Sequence, residues 1–359
     1  MKGLLRVVAI VLVLVALAWA GAEYLLVRQA RQAEAQGRIG LGAARMLADP
    51  ARIGGRFADV TLPMERDRQL ALSDVELWVP PFALNTLHAS LPARVHWGKP
   101  DYPSTARFDG GVARARVSPF RSMALTFAAV ETGGISIDRE DIVGPLHIEA
   151  RLTNFGAVIP KDVAAAYRVD LAIADLNLPA LASKLEIGEA SGQRKGRGAI
   201  DGPVVVWLSS VPGPMMAQRP EVMGVVFEGL RVTVDGAEMR IWGQLSRDAS
   251  GQLSGELALD SPQMREFVMG LAHAGYMPVG FAPLTATALA TVSRTARLRE
   301  AARPAAVSSP DLTELRRQQG SPHIPPRPEG AERIPLRIDS GQIHVGDLPL
   351  SALLSRAKP

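Results

Sequence analysis

Residues able to do chemistry are present in this chain, but not at the spacings chemistry needs. The histidines are His88, His96, His147, His273, His323 and His344, and none pairs with another at the one-turn spacing of a helical metal site. Strand alternation puts His96, His147 and His344 on polar faces, where an imidazole is simply solvated. Asp138-Arg139-Glu140-Asp141 gathers carboxylates, yet Arg139 sits among them at a turn, so they read as a solvated loop rather than an acid/base or metal pair. Gly188-Glu189-Ala190-Ser191-Gly192 and Gly251-Gln252-Leu253-Ser254-Gly255 have the wrong spacing for a nucleophile elbow. Gly40-Leu41-Gly42 lacks the third glycine of a dinucleotide fingerprint, because Arg45 stands there. Lys195 and Arg197 lie in a glycine-rich stretch that is no phosphate-cradling P-loop and reads as a bare surface loop, or one touching lipid head groups. The absence of cysteine removes thiol nucleophiles, thiolate metal sites and disulfides together. No catalytic, cofactor-binding or metal residue is therefore assigned, and neither an enzyme nor a cofactor is expected.

The elements behind these residues start with the N-terminus. From Val7 to Ala22 no side chain is charged or strongly polar. With its flanks the run approaches the roughly 20 residues a helix needs to cross hydrocarbon. Val7, Ile10, Leu12, Leu14, Leu17 and Trp19 are the candidate membrane-anchor residues. Ala18-Trp19-Ala20 also fits a signal-peptidase site, but Leu25 to Val27 prolongs the apolar stretch past that cut, which favours an uncleaved anchor. The short N-terminal tail is expected to stay in the cytoplasm, putting the remainder in the periplasm as a single-pass inner-membrane protein. Charge is nearly balanced, at +4 for 359 residues, and aromatics make up only 5%. Lysine and arginine are interspersed with acids, so a nucleic-acid partner is not expected.

Residues 28–58 read as a helical stalk, with the helix carried to Leu47 although Gly37, Gly40 and Gly42 weaken it. From Asp59 the period becomes two, and residues 59–302 read as a β-rich domain. Val75, Leu77 and Val79 alternate with Asp74, Glu76 and Trp78; Val95 and Trp97 alternate with Arg94 and His96, and Leu146, Ile148, Ala150 and Leu152 with His147, Glu149, Arg151 and Thr153. Gly133-Gly134 reads as a tight turn, and Asp235-Gly236 as a two-residue hairpin that pairs Val234 with Ala237. The next turn is placed at Arg247 to Gly251, which pairs Ser246 with Gln252 and Leu245 with Leu253. Ser261 is expected to cap a helix bearing Phe267, Val268 and Leu271, and Leu284 to Glu300 is a second helix. Residues 303–334 form a proline-rich flexible loop. Residues 335–359 close the domain with a hairpin, Leu336 opposite Val345 and Ile338 opposite Ile343, and a docking tail. The fold class expected is mainly β with some α: an N-terminal transmembrane helix, then a long one-sided antiparallel meander with a few covering helices.

The anchor, the amphipathic strands and the closing stretch from Pro335-Leu336-Arg337-Ile338-Asp339-Ser340-Gly341 through His344-Val345-Gly346 to Leu348-Pro349-Leu350 resemble a bacterial domain-of-unknown-function family of single-pass envelope proteins. More distantly, the meanders look like those of AsmA-like envelope proteins, which carry lipid along β-lined grooves. The resemblance implies no catalytic residue. The function expected is a non-enzymatic envelope role, binding lipid or another hydrophobic ligand on an apolar sheet face. The alternative is a scaffold or regulatory protein that recruits an envelope partner through edge strands or the proline-rich segment. An ordinary core, with strands and helices packed on each other, fits the same pattern slightly better than an open groove does.

Overall fold

The computed structural model describes residues 27–64 without 29, 33 and 38, then 68–99, 102–154, 162–184, 195–213, 220–247, 251–302, 324–346 and 348–349. The anchor residues Val7, Ile10, Leu12, Leu14, Leu17 and Trp19 lie outside them, as do residues 303–323 and 350–359. Among the described residues no helix is long and apolar enough to cross a membrane. The chain is mainly β and divides into two compact units, residues 1–141 and 142–359.

In the first unit, consecutive strands are dealt in pairs to two sheets. One sheet holds β1 (Ala43–Met46), β2 (Ile53–Ala58), β5 (Val75–Val79), β6 (Thr86–Ser90), β9 (Val112–Ser118) and β10 (Ala124–Thr132), in that order. The other holds β3 (Val60–Met64), β4 (Arg68–Leu72), β7 (Arg94–Lys99), β8 (Tyr102–Phe108) and β11 (Ile135–Ile137), and β12 (Glu140–Val143) follows as the chain leaves the unit. The pairings of β1 with β2, β2 with β5, β5 with β6, β6 with β9, β9 with β10, β3 with β4, β4 with β7, β7 with β8 and β8 with β11 are antiparallel. The helix expected to reach Leu47 stops earlier. Described residues between 27 and 35 are helical, after which the glycines break the run and Ala43–Met46 pairs with Gly55–Ala58 as β1. The stretch 28–58 thus contains two strands where a helical stalk was expected. Gly133-Gly134 is not a hairpin turn either. β10 pairs with β9 and β11 with β8, so these glycines carry the chain from one sheet to the other. Gly133 passes so close to Asp109 that an added Cβ would stand 2.9 Å from its carbonyl oxygen.

The second unit is a meander in which each strand pairs with the next: β13 (Leu146–Thr153), β14 (Ala165–Asn177), β15 (Arg197–Leu208), β16 (Val222–Val234), β17 (Ala237–Arg247), β18 (Leu253–Ser261), β19 (Glu332–Asp339), β20 (Gln342–Val345) and β21 (Leu348–Pro349). Among the described residues, three α-helices interrupt it: α1 (Leu178–Lys184), α2 (Met264–His273) and α3 (Ala282–Ala302). Asp235-Gly236 turns β16 into β17 with Val234 opposite Ala237, and Leu336 and Ile338 face Val345 and Ile343, as the alternation requires. Between β17 and β18 the register differs from expectation: Arg247 pairs with Leu253, Ser246 with Ser254 and Leu245 with Gly255. The turn falls one residue later, which slides partners by two positions and leaves every side chain on its expected face. A period-two pattern is blind to such a slip. Ser261 does not cap α2. It ends β18, where its hydroxyl donates to the Glu238 carbonyl and accepts from the Gln263 N–H.

Although α2 and α3 separate β18 from β19 in sequence, the two strands are neighbours. A buried ion pair joins them: Arg333 Nε and Nη2 lie 2.7 and 2.6 Å from the two Asp260 oxygens. Ser293 of α3 accepts the Arg333 N–H at 3.0 Å.

Candidate functional site

The antiparallel pairing assigns every strand residue of the second unit to one of two faces. On one face, a single transverse row crosses eight strands. Leu152 faces Tyr167, Tyr167 faces Val206, and Val206 faces Val225. Val225 then faces Leu245, Leu245 faces Gly255, Gly255 faces Ile338, and Ile338 faces Ile343. No member carries a charge. One residue away along each strand, on the opposite face, the row reads Arg151, Arg168, Val205, Val226, Gln244, Glu256, Arg337 and His344. Along this row one side of the sheet is uncharged, and the other carries Arg151, Arg168, Glu256 and Arg337 with Val205 and Val226 between them.

Among the described residues, the helices cover one end of this uncharged side. Phe267 and Leu271 of α2, with Leu178 of α1, pack on Ile200, Val232 and Val234. Met264 and Val268 of α2 and Ala282 and Ala286 of α3 pack on Leu259, Ile334, Leu336 and Val345. The row through Val206, Val225 and Leu245 belongs to neither cluster, and those three side chains are half-buried. Ile343 is 39% exposed at the end of that row and Leu253 48% exposed beside it. Gly229 keeps the two ends of β16 on one apolar face. It forms a bulge (φ +89°) between Glu228 and Leu230, and the Trp242 ring lies where a side chain would be.

Two features of the first unit are polar or aromatic rather than aliphatic. Phe82 and Phe120 are fully exposed, and Leu84 is 71% exposed. They sit on neighbouring loops: the Asn85 amide donates to the Val117 carbonyl, and the Val117 N–H donates to the Asn85 carbonyl. Pro80 and Pro81 stiffen one loop and Pro119 the other, with Arg121 exposed beside Phe120.

On the second sheet of that unit, Arg94, His96, Thr105, Arg107, Asp138 and Arg139 line a cavity of about 280 Å³. In sequence, Asp138 and Arg139 look like a solvated turn and His96 like a solvated strand residue, and nothing there joins them to Arg94 and Arg107. The pairing of β7 with β8 does so, placing Arg94 opposite Arg107 and His96 opposite Thr105. His96 Nδ1 lies 2.9 Å from Thr105 Oγ1. A cavity of about 290 Å³ on the second unit is lined by Arg337, Asp339, His344 and Gly346, and there Arg337 already holds Asp339 at 3.3 Å. Among the described residues no three His, Asp or Glu side chains group as a metal site would.

These features define a class of protein: a mainly β protein built on a long antiparallel meander, with helices, among the described residues, packed on part of one face. The chain belongs to the bacterial family described as "uncharacterized protein conserved in bacteria" (DUF2125), which matches residues 19–353. No curated protein and no solved structure matches the chain.

Proposed function

We propose that the chain is a membrane-tethered envelope protein with its bulk in the periplasm, and that it holds lipid or another hydrophobic ligand without transforming it. The observation that carries this reading is the uncharged row from Leu152 to Ile343, eight strands wide and outside both helix-covered clusters. An uncharged row of that breadth, half-buried for most of its length and exposed at Ile343, suits acyl chains laid along the sheet. The apolar run from Val7 to Ala22 supports the tether, and the exposed Phe82 and Phe120 suit a bilayer interface.

Native mass spectrometry of the full chain, purified in mild detergent, tests the proposal. Phospholipid retained at a defined stoichiometry is the expected result. A correctly folded sample that holds no lipid, or a stoichiometric protein partner in its place, overturns the ligand reading in favour of a scaffold.

A further inference from the structure

The first-unit cavity brings three arginines, Arg94, Arg107 and Arg139, to one place. In the same unit Arg52, Arg56 and Arg114 each hold a carboxylate, at 2.6, 3.3 and 2.9 Å. Arg94, Arg107 and Arg139 have no hydrogen bond or ion pair to their guanidinium groups among the described residues. Arg94 and Arg107 are also direct cross-strand partners, an arrangement that like charges destabilise. Their face is set by what lies behind them: Val60, Leu72, Val95, Ala106 and Ile137 form an apolar row on the other side of the sheet. The strands cannot turn the arginines away from each other without exposing that row.

Arg139 arrives from a different strand and at a conformational cost. It follows Asp138 in the two-residue turn after β11, and both residues have positive φ, +52° for Asp138 and +74° for Arg139. Aspartate suits its place in such a turn, but the second position ordinarily takes glycine. The turn is held over β8 from both directions. Asp138 N–H donates to the Thr105 carbonyl at 2.8 Å, and Thr105 N–H donates to Asp138 Oδ1 at 2.9 Å. A strained residue that adds a third cation to two opposed ones makes sense where something negative binds between them.

We infer that this cavity is a binding site for a phosphomonoester-type anion, gripped by Arg94, Arg107 and Arg139. A carboxylate is saturated by one arginine fork, whereas a terminal phosphoryl group offers three oxygens in a tripod that three guanidinium groups match. Asp138 offsets one of the three positive charges, leaving the net charge of about +2 that a phosphomonoester dianion neutralises. The volume exceeds that of a phosphoryl group and leaves room for what is esterified to it, such as a glycerol or sugar carbon. The site is independent of the apolar-face reading, since it lies in the other unit and needs only the phosphoryl group, which a soluble phosphate ester and a lipid head group share.

The full chain in detergent at low salt is titrated with inorganic phosphate by calorimetry. In parallel, the chain in phosphatidylcholine vesicles is compared with the chain in vesicles containing phosphatidic acid, with the thermal midpoint read in each. The variants are Arg139→Gly, which gives the turn its preferred residue, and Arg107→Gln, which removes the cross-strand repulsion. Both are expected to melt no lower than the parent in anion-free buffer. Phosphate is expected to raise the parent midpoint and to bind each variant at least about tenfold more weakly. A response to inorganic phosphate assigns a free phosphoryl ligand. A response to phosphatidic acid alone, lost in both variants, assigns a head group. No response to either anion, or a response that survives both substitutions, overturns the inference.

Discussion

His88 stacks on Trp78 with ring centroids 5.4 Å apart, and the Arg52 guanidinium lies 5.5 Å from the Trp78 ring. Burial lowers the imidazole pKa below its ordinary 6.5, and the positive charge of Arg114 lowers it further. The unfolded chain therefore takes up a proton at a pH where the folded chain does not. The stability His88 contributes is complete above 6.5 and is lost as pH falls from there toward the depressed folded value. His88→Phe keeps a ring against Trp78 and removes the titration. Its denaturant midpoint is expected to fall less than the parent's between about pH 7 and about pH 5; parallel losses in the two proteins would refute the assignment. At this scale the sequence shows which residues alternate but not which meet. Arg94 and His96 stand out on their strand and Asp138-Arg139 at its turn, yet only the β7–β8 and β8–β11 pairings bring them to one cavity.

Elements were legible where local chemistry sets them. Asp235-Gly236 and Ser340-Gly341 are turns with positive φ at both residues, and the strands beside them pair as alternation demands. The turn into β18 falls one residue later than expected, because a two-residue slide costs nothing in facial pattern and alternation cannot choose between the two registers. The Phe82 and Phe120 loops carry no periodic signal at all; their meaning lies in exposure. Two phenylalanines fully in water on proline-stiffened loops, with Arg121 alongside, match the apolar tip and cationic flank that settle at a bilayer interface. Phe82→Trp and Phe120→Trp add fluorophores without disturbing a core. In the full chain reconstituted into vesicles, each added tryptophan is expected to be quenched by brominated acyl chains and shielded from aqueous iodide, measured against the parent. Quenching by iodide alone would place these tips in water and remove them from the membrane reading.

At the scale of the whole molecule, the two units differ in how far sequence order determines neighbours. In the second unit most strands pair with the strand before and after, so alternation and turns nearly specify the sheet. In the first unit β2 pairs with β5, β4 with β7, β6 with β9 and β8 with β11, and no turn residue encodes those returns. The helices of the second unit settle a point that alternation leaves open, namely which part of the apolar face is core. Val234 is 1% exposed beneath α2, whereas Val225 lies half-buried in the row outside both clusters. Both look alike in sequence, two valines on one strand, so the same substitution at each separates packing from ligand binding. Val234→Ser removes apolar contacts and places a hydroxyl beneath α2, and is expected to cost about 2 kcal/mol in a denaturant melt. Val225→Ser interrupts the open row with a small polar group and is expected to shift stability by less than about 1 kcal/mol, because its surroundings can hydrate the hydroxyl. If acyl chains lie along that row, Val225→Ser retains less phospholipid in native mass spectrometry while Val234→Ser, wherever it stays folded, retains the parent amount. The reverse order, or equal retention in all three proteins, would mean that the row is buried by protein alone and that the sheet has no ligand-bearing side.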